Sequence, residues 1–157
     1  MYTLEHIVHK RTLHIKIKDE KGREIYDIKD NSGLFSKTAY IKNCGGQEVA
    51  KVCQIPGVTP TSRVSCKTGA EFKVVQAFSM KPVFRVQGSD YKITGHIYNT
   101  NYVITKQSKE ILRCRKECEN GKTVKRIEIY QKDYEIEGIA IVTAIEAAQR
   151  NLFISGK

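Results

Sequence analysis

From its first residues to about Gln131 the chain alternates apolar and polar positions with a period of two, the mark of half-buried β-strands. In the stretch 11–18, Leu13, Ile15 and Ile17 share one face, while His14, Lys16 and Lys18 take the other. The turn signal Asp19-Glu20-Lys21-Gly22 follows, then a second strand, 24–29, centred on Ile25 and Tyr26. The pattern recurs at 38–42 and 48–55, joined by Asn43-Cys44-Gly45-Gly46. Two prolines and a glycine make 56–62 a loop. A third hairpin runs over 63–67 and 71–78 around Thr68-Gly69. Pro82 confines the next segment to a sheet edge or a strand start, because proline cannot donate to the ladder. Strands at 84–86, 91–98 and 102–106 are linked by Gly88-Ser89-Asp90 and Asn99-Thr100-Asn101. The last hairpin pairs 110–116 with 124–130 around Asn120-Gly121. Ten to twelve short strands with frequent turns predict a barrel or a sandwich.

Near Asp133 the period changes. Asp133 is positioned as an N-cap, and Glu135 and Glu137 favour a helix start through the backbone dipole. The apolar positions Ile136, Ile139, Ala140, Ile141, Val142, Ala144, Ile145, Ala147 and Ala148 wrap around the helix instead of forming a stripe. Such a helix must be surrounded by protein or lipid. The charge-free run 138–145 is far shorter than the ~20 residues that span a bilayer. The helix therefore reads as an axle inside a closed sheet.

The 157 residues fit one domain, 1–157. The formal charge of +10 favours anionic partners and sits unevenly: 81–126 holds eleven basic and four acidic residues. The same excess would also serve as an ordinary solvated surface. Five cysteines, Cys44, Cys53, Cys66, Cys114 and Cys118, are odd in number and irregular in spacing, which predicts free thiols in a reducing compartment. The segment 1–10 has charges and no long apolar core, unlike a secretory signal. The expected location is cytoplasmic, with peripheral membrane attachment open to the basic surface.

The string "IKDEKGREIYDIK" near the start, "GGQEVAKV" in the second hairpin and the terminal "YEIEGIAIVTAIEAAQRN" resemble the LURP-one-related proteins, which belong with the tubby C-terminal domains and the phospholipid scramblases. The resemblance covers nearly the whole chain. It implies a mostly β fold, a twelve-stranded antiparallel barrel around a central hydrophobic C-terminal helix. In tubby domains, basic side chains on the barrel wall bind phosphoinositide head groups. Tubby's paired basic motif and a scramblase-type acidic calcium run have no counterpart in this sequence, so no lipid-binding residue carries over.

The basic cluster of the last hairpin is the leading candidate site: Arg113, Arg115, Lys122, Lys125 and Arg126. Arg113 and Arg115 alternate with Leu112 and Cys114 and so face away from the core. Guanidinium forks and ammonium groups on one wall suit phosphate. His14, Lys16 and Lys18 form a second, weaker cluster. Cys114 and Cys118 on a regular strand stand ~13 Å apart, too far to share a metal. His6, His9 and His14 lack further ligands, and His96 lacks a partnered nucleophile. Gly45-Gly46 is not set in a phosphate-binding loop, and no nucleophile elbow occurs. The expectation is a non-enzymatic domain without cofactor or metal, binding anionic phospholipid or phosphoinositide head groups. A protein- or nucleic-acid-interaction module using the same basic face is the alternative.

Overall fold

The computed structural model describes residues 1–7, 13–30, 37–77, 83–97 and 100–155, with side chains to Gln149. Twelve antiparallel strands form one sheet: β1 Tyr2–His6, β2 His14–Lys18, β3 Glu24–Asp30, β4 Thr38–Asn43, β5 Glu48–Ile55, β6 Thr61–Cys66, β7 Glu71–Ala77, β8 Val83–Gln87, β9 Tyr91–His96, β10 Asn101–Lys106, β11 Lys109–Glu119 and β12 Lys122–Ile129. A 3₁₀ turn, Lys132–Tyr134, leads into helix α1, Glu135–Ser155. The spatial order is β8-β7-β6-β5-β4-β3-β2-β1-β12-β11-β10-β9, so every strand pairs with its sequence neighbours except β8 and β9, and β1 and β12 pair across the chain. Strands β1 and β12 join the ends of the chain, with Leu4 opposite Lys125. Strands β8 and β9 meet at the Gly88–Asp90 bend without a ladder between them, leaving the barrel nearly closed.

Every strand-to-strand reversal alternates between the two barrel ends. One end carries tight turns, where Gly22, Gly46, Gly69 and Gly88 adopt positive φ. The other carries the proline-flanked loop 56–60, with Val58 at its exposed tip, and the tight Asn120-Gly121 turn. The helix enters at the turn end and runs towards the loop end.

The alternation seen in the sequence becomes inside and outside of the wall. Ile15, Ile17, Ile28, Ile41, Val52, Val64, Ile104, Leu112 and Ile127 are buried against the helix. Ile139, Ala140, Ile141, Val142, Ala144 and Ile145, around the full circumference of α1, are at most 1% exposed. Each large apolar side chain so enclosed contributes ~1.5–3 kcal/mol, which makes the axle a principal part of the core. Gly138 allows the helix to approach β11: a Cβ there would lie 3.1 Å from Leu112 Cδ1. Asp133 lies within the 3₁₀ turn, two residues before the first residue of α1, so the helix starts slightly later than its candidate cap.

Candidate functional site

The predicted basic cluster divides between the two faces of the wall. In β12, Ile127 points inward, so Lys125, two residues earlier, does the same, while Arg126 faces out. Lys125 Nζ donates to both oxygens of Glu146 on α1, at 2.7 and 2.9 Å. His6 Nε2 donates to Glu146 Oε2 at 2.8 Å. The Glu146 side chain is 4% exposed, that of Lys125 20% and that of His6 42%. Burial opposes ionisation of Glu146, yet the bonds from His6 and Lys125 outweigh it and hold the carboxyl below its ordinary range. Lys125 therefore belongs to the interior lock on the axle, apart from the outward arginines.

Those outward arginines are neutralised. Arg115 and Arg126 stand directly opposite each other, and Glu117 bridges them, with ion-pair distances of 2.9 and 3.3 Å. Arg115 also meets Glu128 at 2.6 Å, Arg126 also meets Glu119, and Arg113 lies 3.8 Å from Glu110. Lys122 stands exposed beside the Asn120-Gly121 turn. The second predicted cluster is neutralised likewise: His14 pairs with Asp27 at 2.7 Å, Lys16 with Glu24 at 3.1 Å and Lys18 with Glu5 at 2.7 Å. The bond from Lys18 holds the Glu5 carboxyl below its ordinary range.

Sequence reasoning missed a different basic face. On β5 to β8 the outward, exposed positions include Lys51, Arg63, Lys73 and Arg85. Arg63 is directly opposite Lys73. Lys51 lies diagonal to Arg63, since Ser65 and Cys53 face them respectively. Arg85 lies diagonal to Lys73 by the same reasoning. The four cations thus form an oblique band across adjacent strands. Among the described residues no ion pair binds any of them, and Glu71, opposite Ser65, is an acid on the same face. A cross-strand pair of like charges is destabilising unless something neutralises it. Arg115 and Arg126 have Glu117 for that purpose; Arg63 and Lys73 have no such bridge.

Two further acids of the axle are buried at the turn end. Glu135 accepts from Tyr26 Oη at 3.0 Å and from Lys132 Nζ at 3.3 Å. Glu137 accepts from Thr68 Oγ1 at 3.0 Å through one oxygen, and its other oxygen is buried with no partner among the described residues. Burial, then the charge of Glu137, pushes the Cys66 thiol up to about 12. Burial likewise pushes the Cys114 thiol up to about 12. Cys114 and Cys118 lie on one unbroken stretch of β11, the first buried and the second exposed. All five cysteines are free thiols. His9 lies outside the described residues, and His96 is exposed on β9. Among the described residues no group of three or more His, Cys, Asp or Glu is arranged to hold a metal ion. A shallow cleft of about 380 Å³ on the outer wall is lined by Asp27, Lys29, Asp30, Tyr40, Lys42 and Glu48, whose opposing charges largely cancel.

A nearly closed twelve-stranded antiparallel barrel threaded by a C-terminal helix defines the class of this protein. The family model for LURP-one-related proteins matches residues 4–146, and the chain belongs to that family. No curated protein and no solved structure matches it. Among the described residues no helix is long and apolar enough to cross a membrane.

Proposed function

We propose that this is a non-enzymatic domain that docks on anionic phospholipid head groups through the outer wall of β5 to β8. The observation carrying this reading is the unneutralised band Lys51, Arg63, Lys73 and Arg85, with Arg63 and Lys73 face to face. The axle helix fills the space in which a barrel of other design would hold a substrate. A head-group layer supplies many phosphates at once, which suits a spread band better than a pocket. At ~1 kcal/mol per basic side chain near an anionic surface, four cations supply about 4 kcal/mol. Val58, 89% exposed in the 56–60 loop that joins β5 to β6, offers a small apolar contact at the end of the same wall. Attachment of this strength is reversible and sensitive to salt. Among the described residues of β5 to β8 no aromatic side chain is exposed for bases to stack on, so single-stranded nucleic acid is the poorer fit.

The test is co-sedimentation with vesicles of phosphatidylcholine alone, with added phosphatidylserine, and with added phosphoinositide, at low and high salt. The expected result is binding to the anionic vesicles that weakens with salt. Equal recovery with neutral and anionic vesicles would refute the reading. Selective binding to the phosphoinositide vesicles at matched charge would narrow the ligand to that head group.

A further inference from the structure

The outer wall of β5 to β8 changes character from one barrel end to the other. Val52, Val64, Val74 and Phe84 are buried inside. Alternation along each strand therefore turns Ile55, Thr61, Val75 and Arg85 outward. Ile55 stands opposite Thr61, Thr61 opposite Val75 and Val75 opposite Arg85, which makes one row across the four strands. The Arg63–Lys73 pair lies two residues towards the turn end, ~7 Å along the strands. Two residues towards the loop end, Ala77 stands opposite Val83, also facing out. That places them a further ~7 Å along. Val58 occupies the loop at the same end.

The cationic band is thus bordered on its loop side by an outward apolar rim. Val58 and Val83 are exposed, and Ile55, Val75 and Ala77 are half-buried. Among the described residues no acid lies at 51–55, 61–64, 74–77 or 83–85, so the rim and the cations beside it repel no phosphate. Pro56 and Pro60 restrict the loop, and little freedom is lost when it is buried. An anionic bilayer presents phosphate and then hydrocarbon over the same distance, since apolar groups at its interface reach ~5–10 Å below the head groups. A soluble partner would have to match both layers across four strands.

We propose that the loop end of this wall inserts into the membrane interface. Val58, Ala77 and Val83 enter the boundary of the acyl chains, while Arg63, Lys73 and Arg85 hold head groups above them. This inference rests on the lipid-docking reading and adds its depth and orientation: the barrel stands on its loop end, and the turn end, with Glu71, is held away from the bilayer.

The chain contains no tryptophan, so one introduced residue reports its own surroundings. Val58→Trp, Val83→Trp and Glu71→Trp would each be mixed with phosphatidylserine-containing vesicles whose acyl chains carry bromine near the head group, and pelleted in parallel. Fluorescence of Val58→Trp and Val83→Trp should shift to the blue and be quenched, and that of Glu71→Trp should not. The Val58→Asp/Val83→Asp variant, with its cations intact, should bind about tenfold or more weakly. Unfolding curves confirm that each variant is folded. Pelleting without quenching at Val58→Trp and Val83→Trp would overturn insertion and leave lipid docking standing. Equal quenching of Glu71→Trp would overturn the orientation. Failure of the wild type to pellet with these vesicles would overturn insertion and docking together.

Discussion

Replacing Lys125 with methionine removes one of the two side chains that hold a buried carboxylate on the axle. Glu146 is 4% exposed and receives two bonds from Lys125 and one from His6. Breaking a buried ion pair by deleting one partner costs about 3–5 kcal/mol, because the other charge stays behind without compensation. Lys125 is 20% exposed, and His6 remains, so the lower part of that range applies, about 3 kcal/mol. For a domain of this size that corresponds to a fall in melting temperature of roughly 6–12 °C. The effect must also depend on pH. In the wild type the Glu146 carboxyl is held below its ordinary range. A depressed carboxyl contributes stability that is complete above the unfolded value, about 4.3, and is lost as pH falls through the folded value. In Lys125→Met, burial of Glu146 is less compensated, its carboxyl rises, and protonation relieves the buried charge at milder acidity. The difference between wild type and variant is thus greatest near pH 7 and shrinks towards pH 4. Urea unfolding of both proteins at several pH values measures it. A loss below about 1 kcal/mol at pH 7, or a loss of the same size at every pH, would refute the lock.

Other consequences follow from particular residues. Gly95 has φ of +124°, and a Cβ there would lie 2.4 Å from the Asn101 carbonyl oxygen and 2.7 Å from Tyr102 Cα. Gly95→Ala should therefore destabilise by about 2 kcal/mol or more, read as a lower denaturation midpoint; an unchanged midpoint would show that β9 moves freely off β10. The β10–β11 turn places Gln107 and Ser108, neither of them glycine, at φ of +51° and +65°. Asn-Gly at these two positions should stabilise by about 1 kcal/mol in the same unfolding assay, and a loss of stability would contradict the strain assigned to the turn. Cys44 and Cys118 are exposed, whereas Cys66 and Cys114 are buried with their thiols pushed up to about 12. An aromatic disulfide reagent at pH 8 should label the exposed pair rapidly and the buried pair only on unfolding; fast labelling of Cys66 or Cys114 in the native protein would contradict their burial.

The strands were legible because one face of each meets the axle, so Leu13, Ile15 and Ile17 betray both the period and the inner side. Pro82 confined the next segment to a sheet edge or a strand start, and β8, which begins at Val83, is an edge strand. The helix was legible because an apolar circumference has few places to go except the inside of a closed wall. Its glutamates were less legible. A carboxylate among isoleucines and alanines demands a buried donor, but the sequence does not say which strand supplies it. The side of Lys125 was within reach, since counting back from Ile127 by twos places it inside. Proximity to the other cations of the hairpin hid that parity. The free basic band could not be found by scanning for charge runs. Lys51, Arg63, Lys73 and Arg85 are ten to twelve residues apart and become neighbours only through three successive hairpin registers. Conversely, the charge-dense last hairpin carries Glu110, Glu117, Glu119 and Glu128 within reach of its own arginines.

Charge reversal on one wall, compared with the other, tests the central claim most directly. Lys51→Glu/Arg63→Glu/Lys73→Glu and Arg113→Ala/Arg115→Ala would be compared with the wild type by co-sedimentation with phosphatidylserine-containing vesicles at low salt, after unfolding curves confirm that each variant is folded. The triple variant should lose nearly all vesicle binding, and the double variant should keep most of it, because its arginines are already engaged by glutamates. Loss of binding in the double variant with retention in the triple variant would contradict the account and return the membrane contact to the last hairpin.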